Sequence, residues 1–245
     1  MSRVVLVTGA SRGIGAEVAR QLADPNTHVI VNYREKTRRA DSVVRAIRDF
    51  GGRASAAAAD LSADSAVADM INGIRSRFGR LDTLILNASG GLERDADPDY
   101  AMRLNRDAQV HLAWLALAVM PPGGRIVFVT SHQAHFYPDQ PVPDGYAPVA
   151  ESKRAGEDAL RAMQPEFDRR GIDFTVVSGD MVDGTIIIRL LQRRDPDAVD
   201  ARRGQATLPT VEEFAAAIVG AATGPPAFGT VYVGGADYLS SVSPQ

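Results

Sequence analysis

The feature that most constrains this chain is the alternation of short apolar runs with stretches of helical periodicity. Six runs are short enough to be strands: Val4–Val7, Val29–Val31, Thr83–Leu86, Ile126–Val129, Phe174–Val177 and Val231–Val233. They do not alternate apolar with polar residues, so each needs cover on both faces, as the strands of a parallel sheet do. Between them, Val67, Met70, Ile71, Ile74 and Phe78 recur at helical spacing and form one stripe. A second stripe, Val43, Val44, Ile47 and Phe50, stops at Gly51-Gly52, where a glycine cap is expected. The alanine-rich stretch Arg53–Ala59 is helix-prone by propensity, yet its place between two helices predicts a central strand of small side chains. Strand, helix, strand repeated in this way predicts one α/β domain over residues 1–245.

Composition narrows the function classes. The chain has no cysteine, which excludes a disulfide scaffold, a thiolate-bound metal centre and a cysteine nucleophile, and fits a reducing compartment, the cytoplasm by default. No window approaches the roughly 20 apolar residues of a membrane span, and Met1-Ser2-Arg3 runs straight into an apolar strand. With 27 Lys+Arg against 30 Asp+Glu, the net charge of -3 gives no long-range pull toward nucleic acid or an anionic membrane. A small-molecule partner is the expectation. His132 and His135 have no spacing to carboxylates that suggests a metal site, and no metal is expected.

Directly after the first strand comes Thr8-Gly9-Ala10-Ser11-Arg12-Gly13-Ile14-Gly15, followed by a helical stretch carrying Val18 and Leu22. Glycines here allow a tight turn and close approach of backbone to a pyrophosphate, while the helix start offers unpaired N–H groups. This predicts a dinucleotide site. Two later stretches break the rhythm: His132–Gly145, with three prolines, and Gly179–Thr207, which contains the charged run Arg189–Arg203. Each reads as a binding loop or as a surface insertion. The run mixes signs and is expected to be a solvated face, with contact to an acidic carrier or coenzyme A phosphate as the alternative. His111 and Trp114, on an apolar helix with Leu112 and Leu115, read as a helix or subunit contact.

The Thr-Gly-x-x-x-Gly-x-Gly turn resembles that of the short-chain dehydrogenase/reductase family, and the resemblance extends over nearly the whole chain. It implies a single Rossmann-type, doubly wound domain with a roughly seven-stranded parallel sheet flanked by helices, assembled as a homotetramer or homodimer. It places Gly9, Ser11, Arg12, Gly13, Ile14 and Gly15 at the cofactor phosphates, and Asp60 and Leu61 at the adenine. Asn87 and Ala88 match the family's Asn-Asn-Ala-Gly signature, with Leu86 and Ser89 as departures. Asn105, Ser131 and Lys153 match its active-site Asn, Ser and Lys. Thr185 matches its nicotinamide-contacting threonine, although Ser178-Gly179 stands where Pro-Gly is usual. No acidic residue ends the second strand at Asn32-Tyr33-Arg34, so Arg34 and Arg12 are expected to pair with a 2'-phosphate, and the cofactor to be NADP(H).

One family residue is displaced. The general acid of the family is a tyrosine four residues before the lysine, and position 149 is valine. Tyr146 is the nearest replacement, expected on an extended approach to a helix that Pro148 opens. Its Tyr-x6-Lys spacing resembles divergent enoyl-acyl-carrier-protein reductases, in which Tyr137 would match a second aromatic position. The residues therefore point to NADPH-dependent reduction of a carbonyl, such as a 3-oxoacyl thioester or similar ketone. In this reading Tyr146 is the acid, Ser131 binds the carbonyl oxygen, Lys153 lowers the tyrosine pKa, and Asn105 helps hold a relay water. Two alternatives stand beside it: an enoyl-thioester reductase, and a catalytically impaired NADP-binding regulatory protein.

Overall fold

Seven parallel strands carry the molecule, a computed structural model that describes residues 2–92, 97, 99–143, 145–185, 188, 192–193, 196–205, 207–226 and 229–235. They are β1 (Arg3–Val7), β2 (Thr27–Tyr33), β3 (Arg53–Ala58), β4 (Thr83–Leu86), β5 (Arg125–Ser131), β6 (Asp173–Gly179) and β7 (Gly229–Val233). Their order is β3-β2-β1-β4-β5-β6-β7. Successive side chains of a strand leave on opposite faces, and both faces are covered. Val4 and Leu6 enter one core, while Val5 and Val7 enter the other. Burying each such side chain is worth about 1.5–3 kcal/mol, which is why polar residues do not alternate through the central strands.

The first core lies under helices α3 (Asp64–Phe78), α5 (Ala108–Ala116) and α8 (Gln164–Arg170), which supply Met70, Leu112 and Phe167 among others. The second lies under α1 (Gly13–Gln21), α2 (Thr37–Asp49) and α10 (Val211–Thr223), with Val18, Ile47 and Phe214. The remaining helical elements are α4 (Tyr100–Met102), a π-helical segment (Arg103–Asp107) that runs into α5, α6 (His132–His135), α7 (Ala147–Ala162) and α9 (Pro196–Gln205). Among the described residues, no helix is long and apolar enough to cross a membrane.

Four expectations need correction. Arg53–Ala58 is a strand, but it lies at the sheet edge, not the centre; with one strand neighbour, its alanines need not be buried, and Ala56 and Ala58 are exposed. Phe50 does not continue the α2 stripe: the helix ends at Asp49, and the ring is 85% exposed. The stretch after β5 begins as a helix, α6, with all four residues buried. The charged run is not a uniformly solvated face, because Arg202 on α9 is buried against Asp180, which follows β6. A carboxylate buried there needs a cation beside it, and the Arg202 guanidinium donates from Nη2 to Asp180 Oδ2 at 2.7 Å. Arg189, Arg194 and Asp195 of that run lie outside the described residues.

Helix α10 starts with a capping box: Glu213 N–H donates to Thr210 Oγ1, and Thr210 N–H donates to Glu213 Oε2. This sets Phe214 under the sheet, with its ring against Gly179 at the end of β6. Phe214→Ala is expected to destabilise the fold by about 3–5 kcal/mol, read as a lower urea midpoint with an unchanged slope.

Candidate active site

The sheet order reverses between β1 and β4, the switch point at whose strand ends an open α/β sheet carries its ligand crevice. Thr8 ties the two loops together. Its hydroxyl donates to Ile85 O and accepts from the N–H groups of Asn87 (2.8 Å) and Ala88 (3.0 Å), while the Asn87 amide donates to Thr8 O at 2.9 Å. Gly9 has φ 61, and a side chain there would press on Ala88 Cα; one at Gly15 would run into the Asn87 amide. The first turn is glycine-rich because a neighbouring loop occupies the side-chain space, and the same turn leaves the N-terminus of α1 open to an anion.

At the other end of the crevice Ser131 and Tyr146 meet. Ser131 closes β5, and Tyr146 precedes α7, with Ser131 Oγ 3.1 Å from Tyr146 Oη. The tyrosine is not on an extended approach: its φ and ψ of -93° and -18° are helical. The residue that directly precedes Pro148 is Ala147, so the proline does not restrict Tyr146. The ring is buried in a small apolar cluster of Ala134, Val149 and Ala150, joined by Leu92, Tyr137 and Val142. Val149 fills the space beside Gly91. Ser131 thus meets Tyr146, while Tyr137 packs into the same cluster.

Lys153 lies two turns into α7. Burial pulls its ammonium down to about 8, against the opposing charge of Glu157. The helix is seated on the π-helical segment at Gly156, where any side chain would collide with the carbonyl oxygen of Asn105. Asn105 is buried and its amide is used: it donates to Gly90 O (2.9 Å) and Ser152 Oγ (3.0 Å), and its oxygen accepts from Gly90 N–H (3.2 Å). Both amide hydrogens have protein acceptors, and the backbone carbonyl lies against Gly156.

The remaining expected residues are spread along the crevice. Arg12 and Arg34 are exposed, and Arg34 donates to the Tyr100 hydroxyl at 2.5 Å. Ser11 and Ile14 are half-buried in the turn. Asp60 accepts from Ser62 N–H and Oγ–H through Oδ1, and Leu61 is buried. The Thr185 hydroxyl donates to Val182 O and accepts from Ile188 N–H, which commits it to a local turn. Ser178 explains its own departure from the family's proline: its hydroxyl lies 2.8 Å from His132 Nδ1, while His132 Nε2–H donates to Gly234 O. A proline has no hydroxyl to give. Burial pulls His132 below its ordinary pKa.

Sequence reasoning missed two groups. Asn32 is buried at the end of β2, accepting from Gly9 N–H and donating to Ala57 O and Ala59 O, so it braces the glycine turn against β3. Its signal was a polar residue within an apolar run. Glu157 was missed although it stands one helical turn beyond Lys153.

A model of the short chain dehydrogenase family matches residues 3–194. The chain belongs to that family. Among curated members, the hydroxynaphthalene reductase of Aspergillus fumigatus is 34% identical over 182 residues, 72% of this chain and 65% of that protein. The 1-cyclohexenylcarbonyl-CoA reductase of Streptomyces collinus is 33% identical over 190 residues, 74% of this chain and 65% of that protein. The chain therefore spans about 65% of the length of both relatives. An angucycline C-6 ketoreductase solved with bound NADP is 27% identical, with a TM-score of 0.79 over 95% of each chain. Before Lys153 this chain has valine at 149 and tyrosine at 146. Gly156→Ala is expected to lift α7 from the π-helical segment and cost about 1–3 kcal/mol, measured by denaturant unfolding.

Proposed function

We propose that the protein is an NADPH-dependent reductase of a ketone, plausible substrates being 3-oxoacyl thioesters and similar carbonyls. The observation that carries the reading is the 3.1 Å approach of Ser131 Oγ to Tyr146 Oη, two hydroxyls converging on one point at the end of β5. The turn between β1 and α1 suits a dinucleotide: no side chain caps the start of α1, and Arg12 and Arg34 lie at the surface where a 2'-phosphate would meet them, Arg34 held by Glu35 and Tyr100. Bound NADPH supplies the hydride. Tyr146 gives its Oη proton to the developing alkoxide, and Ser131 donates a hydrogen bond to the same oxygen. The charged Lys153 binds the ribose and lowers the Tyr146 pKa from its usual value of about 10. Asn105 helps hold a relay water beside Lys153. Asp60, Leu61, Asn87, Ala88 and Thr185 line the cofactor. The chain works as a homodimer or homotetramer in the cytoplasm, with Trp114, 56% exposed on the apolar α5, in the subunit contact.

A second reading, enoyl-thioester reduction, is favoured by the Tyr-x6-Lys spacing and by the relative named for a 1-cyclohexenylcarbonyl-CoA substrate. Supplying acetoacetyl and crotonyl thioesters separately with NADPH divides the two. The ketone reading expects oxidation of NADPH with the acetoacetyl thioester; turnover of crotonyl thioester alone reverses the order. Tyr146→Phe is expected to lower kcat by about 10²–10⁴-fold with the Kd for NADPH nearly unchanged, because the ring still packs. Lys153→Ala is expected to weaken both. Undiminished activity of Tyr146→Phe removes Tyr146 from the mechanism, and tighter binding of NADH than NADPH overturns the assignment of Arg12 and Arg34.

A further inference from the structure

The buried ion group at the far end of α7 has no part in the chemistry described so far. Glu157 is fully buried, and both of its oxygens are held. Oε2 accepts from His135 Nδ1–H at 2.9 Å, and Oε1 accepts from Arg161 at 2.9 Å (Nε) and 2.8 Å (Nη2). The partners are themselves anchored on β7: His135 Nε2 lies 3.0 Å from the Tyr232 hydroxyl, and Arg161 donates to Thr230 Oγ1 at 2.8 Å. The carboxylate is thus fixed from α6, α7 and β7 together.

We propose that Glu157 is a positioning residue for Lys153: a clamped carboxylate, one helical turn away on the same helix face, that holds the lysine in its charged form beside Tyr146. This rests on the ketone-reduction reading above. Residues four apart on a helix lie one above the other, so the geometry is set by the backbone. Placing an ammonium in protein costs free energy, and a nearby fixed anion offsets that cost. The direction agrees: burial lowers Lys153, and Glu157 is the charge that opposes it. Glu157 itself stays ionised despite burial, held down by His135 and Arg161.

Of the other ionisable groups on elements packed against α7, Tyr100 on α4 is bonded to Arg34, and His111 on α5 has a buried Nε2 without a hydrogen-bond partner among the described residues. His132 on α6 bonds Ser178 and Gly234. Arg103 and Arg106 of the π-helical segment pair at the surface with Asp97 and Asp107. Glu166 on α8 pairs with Arg169 and Arg170. His135 is bonded to Glu157 and lies beside the Tyr232 hydroxyl, and Tyr146 is the group on which Lys153 acts.

The test reads the lysine directly. Trace acetic anhydride labels only neutral amines, and mass spectrometry of the Lys153 peptide across pH gives its midpoint in the NADP-bound protein. In the parent the midpoint is expected near 8. In Glu157→Gln it is expected to fall by about one unit, which raises the neutral fraction of the amine at pH 7 roughly fivefold. The alkaline limb of kcat should move down with it. An unchanged midpoint in Glu157→Gln overturns the proposal. A midpoint that falls while the kcat limb stays in place leaves Glu157's hold on the lysine intact and contradicts the role of Lys153 in reduction instead. Arg161→Gln separates charge from scaffolding, because it loosens the network but leaves the carboxylate less neutralised. Its midpoint is expected to rise; an unchanged or lower midpoint overturns the proposal, and this arm suffices if Glu157→Gln does not fold.

Discussion

Helix α7 can sit on the π-helical segment only because residue 156 is glycine, and the whole site inherits its geometry from that contact. The collision that a side chain would make with the Asn105 carbonyl is with backbone, which cannot rotate away. The contact fixes the depth and rotation of a helix that carries Lys153, Glu157 and, just before its start, Tyr146. Asn105 completes the join from the other side by bonding Gly90 and Ser152. Once α7 is placed, Tyr146 meets Ser131 at the end of β5, and the crevice opened by the β1–β4 switch lies alongside.

The displaced tyrosine follows from this frame. With valine at 149 packed beside Gly91, the position four residues before Lys153 holds an apolar side chain that cannot exchange a proton. Tyr146 enters from the residue that caps α7 and still brings its hydroxyl to Ser131. The requirement is on where the oxygen arrives, not on the position in sequence that delivers it.

Much of this was legible in the sequence because local rules suffice for it. Unbroken apolar runs marked strands with two covered faces, and Thr8–Gly15 announced a glycine-rich turn, although not that a neighbouring loop crowds it. What was not legible depended on distant chain segments. The alanines of β3 look the same at the centre or the edge of a sheet, and only the strand order assigns them. Arg202 looks like a solvated charge because its partner, Asp180, is 22 residues away, just beyond the end of β6. Ser178 looked like a lost proline until His132 was found facing it. The conformation of Tyr146 was misread for a local reason, since Pro148 restrains Ala147 instead.

The central claim is that Tyr146, under the influence of Lys153, is the proton donor. It is tested most directly by ultraviolet difference titration of tyrosine ionisation in the NADP-bound protein, comparing the parent with Tyr146→Phe. The account predicts one tyrosine in the parent that ionises well below the usual value of about 10 and is absent from the variant. Identical titration curves for the two proteins would contradict it.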